Sequence, residues 1–447
     1  MADIQAFRGL RYDLGKVGSF SDVVAPPYDV IDSDQQAALY EKNEHNVVRL
    51  ILNSGDELME GQTIYQRAAE HLKNWRRDGI LNTENVGTIY VYHQTFEAEG
   101  QTYTRRGFMC RVRLEEFGDG TIYPHEETHS KAKEDRFKLM SECQCNLSPI
   151  FSIFPDKENA VQEILEAAIE DRTPLTAVEP SGVKHEMWMV TNTEAISNVA
   201  KLMGPKPLYI ADGHHRYETA LNIQKAQSGT KGFGPDHPVN YVLMMCIGMN
   251  DPGMVVLPTH RLFRGMSPIS SDEFQAKISQ AFDCEVVGKG PGFAQDVWEM
   301  VAVEDAQETM GFYCRKDDTW VLAKLNTAGA VLMEEIASSQ SEDWQSLGVA
   351  LLHKLVAERL LGYSDLASPK YVHSVEEVVD GLTNGDDSGR DATGQAGSGA
   401  PFELGCLVMP ATVEHVKAIS EKGERMPAKS TYFYPKLLSG LVINPLD

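Results

Sequence analysis

Apolar positions recur along this chain at two spacings, and the alternation between them outlines the fold. Between Gly61 and Gly79 the residues Ile64, Ala68, Ala69, Leu72 and Trp75 recur at helical spacing, which predicts a helix with one buried stripe. Shorter helices are expected over Asp32–Asn43, Lys131–Glu142 and Glu158–Glu170, and a long one over Ser346–Leu361. Gly87–Phe96 and Thr102–Leu114 are rich in β-branched and aromatic residues and read as a hairpin across residues 97–100. Further strands are expected near Ile150, at Glu186–Val190, at Asn240–Gly248 and at Met254–Leu257. Strands alternating with helices predict a mixed α/β fold.

One strand-to-helix junction concentrates ionisable groups. Pro207–Ile210 reads as a short buried strand, while Tyr217, Ala220, Leu221 and Ile223 mark a helix. Between them lies Asp212-Gly213-His214-His215-Arg216. The first N–H groups of a helix have no partner within it, and the macrodipole leaves partial positive charge there, so Gly213, His214 and His215 are candidate donors to an anion, with Arg216 adding a fixed charge. The plainer role for Asp212 and Gly213 is an ordinary helix cap.

Composition narrows the setting. The chain has 447 residues, 42% hydrophobic and 24% charged, enough for two or three domains with real cores. No segment is apolar enough to cross a bilayer, the N-terminus lacks a secretory pattern, and the cysteines form an odd, scattered set, so a cytoplasmic protein with reduced thiols is expected. A net charge of −24 argues against nucleic acid as a partner. The Gly-, Ser- and Asp-rich run 380–400 reads as a mobile surface loop.

Other clusters carry candidate chemistry. His125, Glu126 and His129 spell HExxH, the helical zinc motif of metal hydrolases, but their neighbours are polar and offer no face to pack. A polar loop and helix start that contributes Glu126, Lys131, Lys133 or Arg136 to a ligand pocket is the preferred reading. Lys429, Ser430 and Thr431 place cationic and hydroxyl donors beside Tyr432, Phe433 and Tyr434, suited to phosphate. Tyr28 and Asp29 follow a stiff Pro26-Pro27 pair, and His260 and Arg261 close an apolar strand; both pairs are candidates for substrate contact.

Taken together, APPYDVI, PHEETHSKAKEDR, ADGHHRYETA, LPTHR and MPAKSTYFYPKLLSG resemble a large prokaryotic family described as a domain of unknown function. The DGHHR turn also resembles the phosphate-binding turn of ParB, sulfiredoxin and free serine kinases. That resemblance implies a ParB/sulfiredoxin-like nucleotide-binding core, with the phosphates of ATP, ADP or CTP held at Gly213, His214, His215 and Arg216 and magnesium as the metal; the tail residues Lys429, Ser430 and Thr431 are expected to add phosphate donors. His214 stands where sulfiredoxin has its reactive cysteine, which excludes sulfinic-acid repair. The activity this leaves is phosphoryl transfer to a small hydroxyl metabolite, with Glu126, Asp212, His214 and His215 as candidate catalytic groups, Asp212 and Glu126 as candidate magnesium ligands, and His125 and Arg136 beside the substrate. A nucleotide-gated module without turnover and an HExxH hydrolase are the rivals. The expected organisation is a core over residues 1–265 with insertions, an α/β subdomain over 266–370, and a C-terminal segment, 371–447, closing the site.

Overall fold

A computed structural model describes residues 2–55, 58–118, 120–128, 130–231, 233–363, 369–385 and 401–446. Contacts divide the chain into two compact units. The first holds residues 1–124, 128–255 and 433–447, and the second 125–127 and 256–432.

The first unit is built on a nine-stranded mixed sheet. Its path runs Ile122–Pro124, Leu208–Asp212, Ile150–Phe154, Tyr241–Gly248, Gln101–Arg113, Ile89–Ala98, Lys184–Val190, Leu175–Val178, with Ile4–Gln5 added alongside Gln101–Arg113. Two pairings are parallel, Leu208–Asp212 with Ile122–Pro124 and Tyr241–Gly248 with Ile150–Phe154. The expected hairpin forms across Glu99 and Gly100, whose φ values of 50° and 74° give the left-handed pair that matches the twist of antiparallel strands.

Strands covered on both faces read as continuous apolar runs, and Leu208, Tyr209, Ile210 and the whole of Tyr241–Ile247 are buried. Tyr217 fixes the following helix to this core: its ring is fully buried and its hydroxyl donates to the Glu115 carbonyl at 2.8 Å. The helix Ile64–Arg77 buries Ala68, Leu72 and Trp75, the stripe expected of it, and is capped reciprocally by Thr63 and Gln66.

The second unit is a six-stranded antiparallel sheet in the order Phe282–Lys289, Thr319–Leu325, Thr309–Cys314, Leu404–Leu407, His260–Phe263, Lys370–Val372. The sheet explains where the expected boundaries move. His260–Phe263 lies before residue 266 yet pairs with Lys370–Val372 and Leu404–Leu407, so residues 371–385 and 401–432 belong with this sheet and the tail from Phe433 returns to the first unit.

Two local expectations change. The long helix after Ser346 is mostly a π-helix, Leu351–Leu360. Residues 380–384 of the supposed loop finish the helix Val375–Asn384, which a Ser374–Glu377 capping box starts, and residues 386–400 lie outside the described residues.

Candidate functional site

At the junction the buried strand Leu208–Asp212 delivers the chain to Gly213, which bends it with φ +96° into the helix His214–Lys231. A side chain here would be strained by the backbone angle, and its Cβ would lie 3.0 Å from the Arg216 guanidinium. Arg216 therefore folds back over Gly213 to reach Asp212.

Asp212 is the centre of the arrangement. Its Oδ2 accepts from Arg216 Nη2 at 2.5 Å and its Oδ1 from Lys436 Nζ at 2.8 Å. The three side chains are 12–21% exposed, sheltered enough for the ion pairs to matter yet open to solvent. Arg216 also donates to the Pro149 carbonyl. His214 is buried, whereas Gly213 and His215 are partly exposed.

Lys436 is held there by a buried arginine. Arg105 donates to Gln94 Oε1 and to the carbonyls of Tyr434 and Pro435, with its guanidinium 4.8 Å from the centre of the Phe151 ring. Burial lowers its pKa to about 10, opposed by the charges of Tyr92, Asp251 and Asp212, so it stays charged at neutral pH. Arg105 is a functional candidate that sequence reasoning missed, and Lys436 lay in the cationic tail without being singled out. The only sequence signal was a second lysine, Lys436, in the tail already marked for Lys429.

Neighbouring residues of the same unit line up with the sequence candidates. The Arg136 guanidinium sits 3.9 Å from the Tyr28 ring centre and donates to the Ile51 carbonyl, and Arg136, Tyr28 and Arg216 line one cavity of about 40 Å³. At roughly 10–15 Å³ of probe-occupied space per water that cavity has room for a few solvent molecules, so a nucleotide would have to lie outside it. Asp29 is exposed on the short turn Tyr28–Val30. One turn along the helix from His214, Glu218 accepts from Lys133 Nζ at 2.7 Å and Thr128 Oγ1 at 2.8 Å.

The remaining candidates assemble in the second unit. Glu126 Oε1 accepts from the backbone amides of Ser430 and Thr431 at 3.2 and 3.3 Å and from Thr431 Oγ1 at 3.2 Å. His125 is fully buried with Nε2 2.9 Å from the same hydroxyl. Arg261, also fully buried, donates to the carbonyls of Thr259 and Lys429, and burial lowers its pKa to about 10. His260 Nδ1 accepts from the Val408 amide, and burial moves its pKa down to about 3. Lys429 itself is exposed, with φ +58°. Glu126, Arg261 and His125 thus bind the loop 427–431 into shape.

Neither metal assignment fits these contacts. The zinc motif needs His125 and His129 one helical turn apart, yet residues 125–128 are not helical, the helix starts at Ser130, and His129 lies outside the described residues. Magnesium would need carboxylate oxygens, but both oxygens of Asp212 face cations and Glu126 Oε1 is taken by amides and a hydroxyl. Among the described residues, no group of three or more His, Cys, Asp or Glu is placed to hold a metal ion. Nor is any described helix long and apolar enough to cross a membrane.

The fold and the junction define a mixed α/β protein with a cation-flanked carboxylate at a helix start. The chain belongs to the family described as a protein of unknown function, DUF1015, whose model matches residues 4–350. No curated protein matches it. Among solved structures, it is similar to a free serine kinase in complex with AMP, at 11% identity over 72% of this chain and 89% of that one, with a TM-score of 0.32. A C-terminally truncated SbnI from Staphylococcus aureus matches at 10% identity over 76% and 87%, TM-score 0.34, and a conserved hypothetical protein from Pyrococcus furiosus at 11% over 71% and 89%, TM-score 0.31.

Proposed function

We propose that this chain binds a nucleotide by its phosphates at the start of the helix His214–Lys231 and passes the terminal phosphoryl group to a small hydroxyl compound. The observation that carries the proposal is the convergence of Arg216 and Lys436 on one carboxylate beside Gly213. A helix end attracts anions through its amides and dipole, and two cations held within reach of it add charge at fixed positions. Asp212 keeps both cations extended toward the junction, and a phosphate would share them with it.

Phosphoryl transfer asks mainly for positioning and charge, which this arrangement offers. In the proposed step the acceptor oxygen bonds to the terminal phosphorus, the bond from that phosphorus to the leaving diphosphate oxygen breaks, and the hydroxyl proton passes to a base. We assign the base to His215, which is partly exposed in the first turn, because His214 is buried and both Asp212 oxygens are engaged.

Calorimetric titration with ATP, ADP and CTP in magnesium buffer tests the binding step. Affinity should fall at least tenfold in Arg216→Ala and Lys436→Ala; equal binding by both variants and wild type would end the proposal. A screen of small hydroxyl metabolites for nucleotide-dependent phosphate transfer tests turnover. Binding with no transfer above background would leave a nucleotide-gated module in place of an enzyme.

A further inference from the structure

Away from the junction, the first unit carries a second concentration of positive charge. A cleft of about 530 Å³ is lined by Arg8, Arg76 and Arg111 together with Phe7, Thr83 and Asn444, and among the described residues no Asp or Glu lines it. Its volume falls in the range of small-molecule sites, roughly 300–1,000 Å³. In a chain of net charge −24, three guanidinium groups around one opening with no carboxylate among its described lining residues is the reverse of the average surface.

Each arginine comes from a different element. Arg8 precedes the strand Leu10–Tyr12 and is exposed; its Nε donates to the Glu84 carbonyl at 2.7 Å, a neutral acceptor. Arg76 is exposed in the last turn of the helix Ile64–Arg77, where the helix dipole favours a cation. Arg111 is half-buried in the strand Gln101–Arg113, donates twice to Gln5 Oε1, and lies 4.7 Å from the Tyr241 ring centre. Asp3 and Asp236 act on Arg111 electrostatically from outside the lining, and Arg113 opposes them. Neutral acceptors hold Arg8 and Arg111 in place without cancelling their charge, which is what a site for an anion requires.

We infer that the cleft between Arg8, Arg76 and Arg111 binds a small phosphorylated or similarly polyanionic molecule, at a site separate from the Asp212 junction. Arginine forks suit phosphate oxygens, the Thr83 hydroxyl adds a neutral donor, and Phe7 gives one apolar wall.

Pyrophosphate is the probe, and an Arg216→Ala background keeps the junction out of the measurement. Pyrophosphate should bind the Arg216→Ala protein with marked salt dependence, and adding Arg8→Gln and Arg76→Gln should weaken it at least tenfold. Because both side chains are exposed, these variants should keep the wild-type melting temperature. On the wild-type protein, pyrophosphate should protect Arg8 and Arg76 from phenylglyoxal, read by peptide mass spectrometry. The inference is overturned if pyrophosphate fails to bind the Arg216→Ala protein, if the two further substitutions leave its affinity unchanged, or if neither arginine is protected. A short single-stranded oligonucleotide that binds the cleft more tightly than pyrophosphate would also overturn it, in favour of nucleic acid. The nucleotide titrations of Arg216→Ala and Lys436→Ala are read separately, so either proposal can fail without the other.

Discussion

Lys436 Nζ donates to Asp212 Oδ1 at 2.8 Å across 224 residues of sequence, and this contact ties the C-terminal tail to the start of the central helix. It gives the junction its second cation, and Arg105 secures the segment that carries it.

Removing that cation should affect stability and affinity together. A partly sheltered, charge-assisted hydrogen bond contributes about 1.5–3 kcal/mol. Lys436→Ala is therefore expected to lower the urea midpoint and to weaken nucleotide binding, while Lys436→Arg restores much of both. A Lys436→Ala protein with unchanged midpoint and affinity would show that the pair is incidental.

Gly213 should be intolerant of any side chain. Alanine at φ +96° is strained and would press its Cβ onto the Arg216 guanidinium, at a cost of about 1–3 kcal/mol. Gly234, with nothing within 4 Å of a Cβ and no positive φ, is the control. Denaturant unfolding should separate Gly213→Ala clearly from Gly234→Ala.

Arg105 should act through the tail. Arg105→Ala leaves the Tyr434 and Pro435 carbonyls and Gln94 without their shared donor, and stranding buried acceptors costs about 1–3 kcal/mol. Hydrogen exchange should speed up over residues 433–438 before it does in the strand Tyr241–Gly248. Uniform acceleration across both would contradict this role.

Glu126 provides a test of structural against catalytic duty. Glu126→Gln keeps an oxygen for the amides of Ser430 and Thr431 and should leave the unfolding midpoint nearly unchanged, whereas Glu126→Ala strands buried donors at about 1–3 kcal/mol. If Glu126→Gln abolished phosphate transfer at normal stability, the carboxylate would return to the reaction.

Acid should weaken the second unit through His260. Its pKa is about 3 folded, against 6.5 as the ordinary value, because burial disfavours the charged ring and the neighbouring Arg261 and His373 charges add to the effect. The unfolded chain then binds more protons between those two values, so stability is full above pH 6.5 and falls with decreasing pH down to about 3, by up to about 1.4 kcal/mol per pH unit. Protonation also removes the lone pair that accepts from Val408. His260→Gln, which does not titrate, should flatten the dependence of the urea midpoint between pH 4.5 and 6.5, and an identical slope in both proteins would refute the assignment.

The candidate site was legible where its parts are neighbours in the chain. Asp212, Gly213 and Arg216 stand together because a strand, a bend and a helix follow in immediate succession, and the same local logic locates the hairpin at Glu99-Gly100 and the stripe Ala68, Leu72, Trp75. Glu126 and Thr431 also meet, but as a loop clamp in the second unit and not as metal ligand and phosphate donor. The HExxH spelling misleads because a motif becomes a metal site only on a helix, and residues 125–128 do not form one.

By itself the sequence determined the elements, their buried faces and the crowding of charge at one junction, since periodicity and turn chemistry act over a few residues. Only the tertiary structure decided which cations serve that junction. The tail changes units between Tyr432 and Phe433, so Lys429 stays with the second sheet while Lys436 arrives at Asp212. Ion-pair partners across hundreds of residues are chosen by packing, which no local pattern encodes.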